Sequence, residues 1–75
     1  MPWLTDWSAG ALQNTLAEHR AVRGLTQEAL AELAGVTRKT INTVERGRFV
    51  PSTILALRLA QVLDVPVEAL FSLRR

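Results

Sequence analysis

With 75 residues, the chain is long enough for one compact domain and too short for two. It has no cysteine and a single histidine, His19, which excludes disulfides, thiolate zinc sites and a cysteine nucleophile and argues against a histidine-based metal site. No stretch has the pattern of a signal peptide, and the most apolar segment, residues 54–60, contains Arg58 and is too short to span a bilayer. We therefore expect a cytoplasmic protein with no metal, cofactor, small-molecule ligand or membrane contact.

The net charge is only +2, but the charges are unevenly distributed. Residues 1–35 have a net charge of −2, whereas residues 36–58 contain one acid, Glu45, and have a net charge of +4. The cations of this middle segment are Arg38, Lys39, Arg46, Arg48 and Arg58. A basic segment in a mildly acidic chain favours a local binding site for a polyanion, although an ordinary solvated surface would have the same composition.

Apolar residues recur at helical spacing, and no segment shows the strict alternation of a strand. The sequence therefore predicts an all-α fold, a compact five-helix bundle. The first predicted helix covers residues 9–23, with Ser8 as its N-cap and with Leu12, Leu16 and His19 on one face.

The second predicted helix covers residues 27–34. Thr26 precedes it as the N-cap, and Leu30 and Leu33 are predicted to be buried. Gly35 ends the helix, because glycine enters the left-handed conformation of a helix C-terminus without steric cost.

The third predicted helix covers residues 38–46, between the N-cap Thr37 and Gly47. Ile41 and Val44 lie three residues apart, which places both on one face of the helix. We predict that this face is turned towards the core and that the opposite face is exposed.

The fourth predicted helix covers residues 53–63, with Ser52 as its N-cap, and it is apolar nearly all round. A surface helix of a monomer has a polar face, so this helix is predicted to be central or shared with a partner. Pro66 opens a short fifth helix. The residues of this helix predicted to return to the core are Val67, Leu70 and Phe71.

The chain divides into a lead-in and one domain. Residues 1–8 form the predicted lead-in, in which Trp3 and Trp7 cover the apolar end of the first helix. Residues 9–73 form the single predicted domain.

The second and third helices, joined by a tight glycine turn, predict a helix-turn-helix. With its apolar face buried, the third helix presents cations and hydrogen-bonding side chains. These are Arg38, Lys39, Asn42 and Thr43. Arginine and lysine match the acceptors of guanine and asparagine matches adenine, so the pattern favours contact with base edges over a merely solvated face.

Four phrases occur along the chain at consistent spacing. They are R-x-x-R-G-L-T-Q-E-x-L-A at 20–31, G-V-T-R-K-T-I-N-T-V-E-R-G-R at 35–48, P-S at 51–52 and D-V-P-V-E-A-L-F at 64–71. Together they resemble the Xre-type helix-turn-helix regulators, the group that includes the lambdoid phage repressors and Cro proteins. The resemblance covers residues 14–71 and implies a lambda repressor-like fold. The chain departs from the family pattern at Asp64, where a glycine is common, and at His19, where leucine is usual.

The resemblance also implies roles for individual residues. Gln27 matches a glutamine that holds phosphate and supports the recognition helix, and Arg20 and Glu45 match a partly buried structural ion pair. Arg38, Lys39 and Thr43 fall where family members contact base edges, with Asn42 beside them. The predicted phosphate contacts are Thr26, Gln27, Thr37, Thr40, Arg48, Ser52 and Thr53.

Together these features predict a transcriptional regulator that binds a pseudo-palindromic operator as a homodimer, with helix 38–45 in the major groove. The competing hypothesis is an antitoxin-type or other interaction module that binds a partner protein and its own promoter. No cluster of titratable groups supports an enzyme, so no catalytic residue is assigned. The predicted dimer interface, for which a purely monomeric core is the alternative, comprises Leu55, Val62, Val67 and Leu70.

Overall fold

The computed structural model describes residues 9–74 as a helical domain closed by a small sheet. Predictions that concern residues 1–8, including the Ser8 cap and the roles of Trp3 and Trp7, lie outside the described residues. A short 3₁₀ turn, Ala9–Ala11, comes first. The strands are β1 (Leu12–Asn14) and β2 (Phe71–Leu73), and the helices are α1 (Leu16–Val22), α2 (Gln27–Ala34), α3 (Arg38–Glu45), α4 (Thr53–Leu63) and α5 (Val67–Leu70).

The first predicted helix is wrong in its N-terminal half. α1 begins only at Leu16, and Leu12 lies instead in β1, which pairs antiparallel with β2. Leu12 faces Leu73 and Asn14 faces Phe71. Three-residue strands are too short to show an alternating pattern, and their partners come from opposite ends of the domain, so the local sequence does not reveal them. The predicted five-helix fold is nevertheless confirmed, and the structure adds a small two-stranded sheet to it.

The predicted caps of the later helices are confirmed. The side chains of Thr26, Thr37 and Ser52 each accept a hydrogen bond from a backbone N–H in the first turn of α2, α3 and α4. The fifth helix is limited to one turn, with Pro66 at its N-cap.

Gly35 and Asp64 end α2 and α4 with positive φ angles of 75° and 56°. A Cβ at position 35 would lie 3.3 Å from Nη1 of Arg58, so this turn restricts both conformation and space. After α4, the N–H of Asp64 donates to the carbonyl of Gln61 and the N–H of Val65 to that of Ala60. This Schellman geometry tolerates aspartate, which adopts the left-handed conformation more readily than most residues.

The core lies between the helices and receives a side chain from each of them. The largest fully buried side chains are Leu16, Leu30, Ile41, Val44, Leu59, Leu63 and Leu70. Leu30, Ile41 and Val44 are buried, as predicted. The prediction that Leu33 is buried is wrong, because this side chain is 58% exposed. α2 packs through Leu30, Ala31 and Ala34 instead, because α3 and α4 cover that side of the helix.

None of the helices within residues 9–74 has the length and apolar character needed to cross a membrane.

Candidate nucleic-acid interface

α2 and α3 are joined by a tight turn that fixes one helix across the other. The N–H of Val36, after the turn at Gly35, donates to the carbonyl of Ala31 at 3.0 Å, closing the end of α2. Ala31 is 3% exposed, and its small side chain allows close packing in the core. Among the pairs of elements, α2 and α3 share the most extensive contact. The sequence therefore forms the predicted helix-turn-helix.

α3 has an inner and an outer side. Ile41 and Val44 are fully buried, while Arg38 and Lys39 are exposed at its start. Asn42 and Thr43 are partly buried. The helical period places Lys39, Asn42 and Thr43 roughly opposite the buried pair and Arg38 nearer the edge of the outer side.

The predicted ion pair between Arg20 and Glu45 is confirmed and connects α1 to the end of α3. Nε of Arg20 lies 2.6 Å from Oε2 of Glu45, and the two side chains are 20% and 7% exposed. Nη2 of Arg20 donates to Oε1 of Glu45 at 3.2 Å, and Nη1 donates to the carbonyl of Leu25 at 2.8 Å. The hydrogen bond to Glu45 raises the pKa of Arg20, so the guanidinium stays charged at any pH at which the protein is handled.

Gln27 joins this network from the first turn of α2. Its Nε2 donates to Oε1 of Glu45 at 2.9 Å, and its Oε1 accepts a 3.4 Å hydrogen bond from Nδ2 of Asn42. Each carboxamide has two N–H groups, so one donor of Gln27 and one donor and the oxygen of Asn42 stay available for another partner. The structure thus brings a predicted phosphate contact and a predicted base contact side by side.

The other predicted phosphate contacts fall mainly at helix starts. Thr26, Thr37 and Ser52 are the exposed N-caps of α2, α3 and α4, and Thr53 is the first residue of α4. Helix N-termini favour anions because their first N–H groups lack intrahelical partners. Two further predicted phosphate contacts belong to α3 or its end. Thr40 lies in the first turn of α3, and Arg48 lies just after its last residue.

Two residues with structural contacts to the helix-turn-helix were missed by the sequence reasoning. Arg58, counted there with the basic segment, donates from Nη1 to the carbonyl of Ala34 at 3.3 Å and so binds the end of α2. Asn14 donates from Nδ2 to the carbonyl of Val44 at 3.0 Å, near the end of α3. Both are tertiary contacts, and the local sequence does not indicate them. Only Asn14 had a possible signal, because an asparagine just before a helix is a familiar start signal.

The predicted dimer residues are only partly accessible. Leu55 and Leu70 are 8% and 1% exposed in the core, so their assignment to an interface is wrong. Leu55 of α4 and Leu70 of α5 point into the core, where they pack against the other helices. Val62 and Val67 pack against the core and are partly buried. α4 instead exposes two apolar residues that were not predicted, Ile54 at 69% and Leu57 at 54%.

No cluster of three acidic or histidine side chains suited to hold a metal occurs in the part of the chain that the structure describes. The residues of the site carry cations, amides and hydroxyls, which suit recognition of a nucleic acid by hydrogen bonds and charge.

Comparisons with known proteins agree with this geometry. A model of the helix-turn-helix family HTH_3 matches residues 16–70. An uncharacterised HTH-type transcriptional regulator of Methanothermobacter thermautotrophicus is 54% identical over 52 residues, covering 69% of this chain and 75% of the relative. The Bacillus subtilis HTH-type transcriptional regulator YgzD is 40% identical over 60 residues, covering 80% and 91%. The crystal structure of the restriction-modification controller protein C.AhdI from Aeromonas hydrophila is similar with a TM-score of 0.69 and 41% identity, covering 72% of this chain and 82% of that one.

Proposed function

Since the chain belongs to the HTH_3 family of DNA-binding helix-turn-helix transcriptional regulators, we propose that it binds a pseudo-palindromic operator as a homodimer, with α3 in the major groove. The observation that carries the proposal is α3 itself, which is anchored on one side and presents exposed cations at its start. Membership in the family confirms the Xre-type assignment and the prediction of a regulator rather than an enzyme. The similarity to C.AhdI confirms the lambda repressor-like fold.

The proposed base-reading residues divide by chemistry. Arg38 and Lys39 extend from the exposed start of α3 and would bind guanine acceptors. Asn42 keeps an N–H and its oxygen free for adenine, while Gln27 fixes its orientation. Thr43 donates its hydroxyl to the carbonyls of Lys39 and Thr40, which leaves its methyl group to contact thymine.

Phosphate contacts would hold this helix in register on the duplex. Exposed caps and free first-turn N–H groups support such contacts at the starts of α2, α3 and α4. Gln27 supports one more, because its second amide N–H has no intramolecular partner in the network with Glu45. The proposed phosphate-contacting residues are Thr26, Gln27, Thr37, Thr40, Arg48, Ser52 and Thr53.

The test of DNA binding starts from a random pool of duplexes, from which bound sites are selected and aligned. We expect the selected sites to show dyad symmetry, as a twofold-symmetric protein requires. Fluorescence anisotropy with one selected duplex should then show an affinity that falls steeply as salt increases, because bound cations release counterions from DNA. An affinity that does not change with salt, or a failure to enrich any sequence, would contradict the proposal.

The outer side of α4 supports the homodimer. Ile54 and Leu57 border a shallow depression together with Arg58 and Gln61, so exposed apolar groups lie next to one another on one helix. Soluble monomers seldom leave such groups together in water, and a twofold interface uses the same surface of both copies. We place the contact between copies here, with the partly buried Val62 of the same helix at its border.

Leu57→Glu tests this interface against Gln13→Glu, which adds the same charge at an exposed position of β1, outside this surface. Sedimentation should show a dimer for the wild type and for Gln13→Glu and a monomer for Leu57→Glu, with unchanged helical circular dichroism in all three. A Leu57→Glu protein that remains dimeric would place the interface elsewhere. A wild type that stays monomeric even on its selected duplex would refute the homodimer.

A further inference from the structure

Asn14, the last residue of β1, connects two helices through one side chain. Its Oδ1 accepts a hydrogen bond from the N–H of Leu16 at 3.1 Å, at the start of α1. Its Nδ2 donates to the carbonyl of Val44 at 3.0 Å, in the last turn of α3. The carboxamide is partly buried and therefore bridges the start of one helix and the end of the other.

The position of Asn14 is itself well defined. It pairs with Phe71 in the sheet, and the next residue, Thr15, donates its N–H to the carbonyl of Leu70 at 2.9 Å. The hydroxyl of Thr15 donates to the carbonyl of Ala69 at 2.7 Å. Because these bonds fix the backbone on both sides of Asn14, a hydrogen bond from its side chain limits the movement of whatever it binds.

α3 needs such support because it is short. A helix of eight residues, Arg38–Glu45, is not stable alone in water, and its direction is set by its contacts with the rest of the domain. The carbonyl of Val44 also accepts a hydrogen bond from the N–H of Gly47 at 3.0 Å. This one oxygen therefore binds both the residue that follows the helix and the side chain of Asn14. At 1.5 Å per residue, α3 is about 12 Å long, so a tilt at its end displaces the side chains at its start.

We propose that Asn14 is a positioning residue for DNA recognition: its hydrogen bond to Val44 holds α3 at the angle at which its first turn reads bases. This inference rests on the proposed DNA binding. Asparagine suits the role because one short side chain supplies an acceptor for α1 and a donor for α3. Aspartate would keep the acceptor and lose the donor, which makes the two functions separable.

The experiment compares Asn14→Asp with Gln13→Asp, which introduces the same charge one residue earlier at an exposed position of β1. Both are titrated against the selected duplex at a temperature at which circular dichroism shows each protein fully folded. We expect Asn14→Asp to lose about 2- to 10-fold in affinity, the range that one net hydrogen bond corresponds to. Gln13→Asp should stay close to the wild type.

Amide hydrogen exchange adds a measurement that does not involve DNA. In Asn14→Asp, exchange at Arg46, Gly47 and Arg48 should become faster because the end of α3 is released, while the amide of Leu16 stays protected. In Asn14→Ala, Leu16 should also exchange faster, because both hydrogen bonds are lost.

Three results would overturn the proposal, and each is distinct. Wild-type affinity for Asn14→Asp at equal folded fraction would show a structural role only. An equal loss in Gln13→Asp would show a general effect of negative charge. If the wild type binds no duplex at all, the proposed function fails first, and the exchange data then describe only how α3 is held.

Discussion

The two ends of α3 differ in how the rest of the domain holds them. At its start, Arg38 and Lys39 are exposed, and the side chain of Thr37 caps the helix by accepting a hydrogen bond from the N–H of Thr40. At its end, Val44 is buried and Glu45 is bound by side chains of α1 and α2. The side chains at the end of the helix are thus bound to other helices, while the cations at its start, here called its free end, are left for a partner.

This arrangement suits recognition because the free end keeps its charges for a partner. The ion pairs within residues 9–74 are Arg20–Glu45 and Arg23–Asp64, and neither includes a cation from the start of α3. A charge that is already paired would have to break that pair before it could bind DNA. Asymmetric support thus separates the residues that fix the helix from those proposed to read sequence.

Loss of the ion pair should have the largest effect on the anchored end. Arg20→Ala leaves the carboxylate of Glu45, 7% exposed, with Gln27 as its remaining side-chain partner. We expect the free energy of unfolding to fall by about 2–3 kcal/mol, at or below the lower limit for breaking a fully buried pair, because Arg20 retains some exposure. Urea denaturation measures it. Arg23→Ala is the control, since its 3.8 Å contact with Asp64 is exposed and should contribute little. Equal losses in the two variants would contradict the anchoring role.

An arginine at each end allows a direct comparison of DNA binding. Arg38 opens α3 and Arg46 caps its end, and both are exposed. Arg38→Ala should lose about 10-fold in affinity for the selected duplex and discriminate less at one base pair. Arg46→Ala should lose less, and equally on all sequences, as a phosphate contact would. Competition with single-base variants of the selected duplex measures the difference. If Arg38→Ala also loses equally on every sequence, Arg38 contacts phosphate and not a base.

The cap at the free end should give the smallest effect. Thr37→Ala removes the acceptor of the N–H of Thr40, 3.2 Å away, and should lower the free energy of unfolding by about 1 kcal/mol. Thr37→Ser keeps a hydroxyl at the same place and should be nearly neutral. Thermal unfolding of the two variants provides the comparison. A Thr37→Ala protein as stable as the wild type would show that the start of α3 does not depend on its cap.

The sequence predicted the helix-turn-helix well because its signals are local. Caps at Thr26 and Thr37, the turn at Gly35 and the spacing of Ile41 and Val44 follow from neighbouring residues. The ion pair of Arg20 with Glu45 was implied only by family resemblance, since nothing local connects positions so far apart.

What the sequence could not supply depends on tertiary packing. Leu33 and Leu55 are both leucines on helices, yet one is 58% exposed and the other 8%, because the position of neighbouring helices decides which side is covered. The start of α1 was misplaced for a similar reason. Residues 12–14 have no strand pattern of their own and become a strand only through pairing with residues 71–73.

The small sheet also has a consequence for how the chain folds. Its partners, such as Leu12 and Leu73, are among the most distant residues in the described sequence, so bringing them together costs more loop-closure entropy than joining neighbouring helices. A three-residue strand pair is not stable alone, and we expect it to form late, once the helices have packed. The helix-turn-helix would then assemble first, and its connection to β1 through Asn14 would be among the last native contacts made.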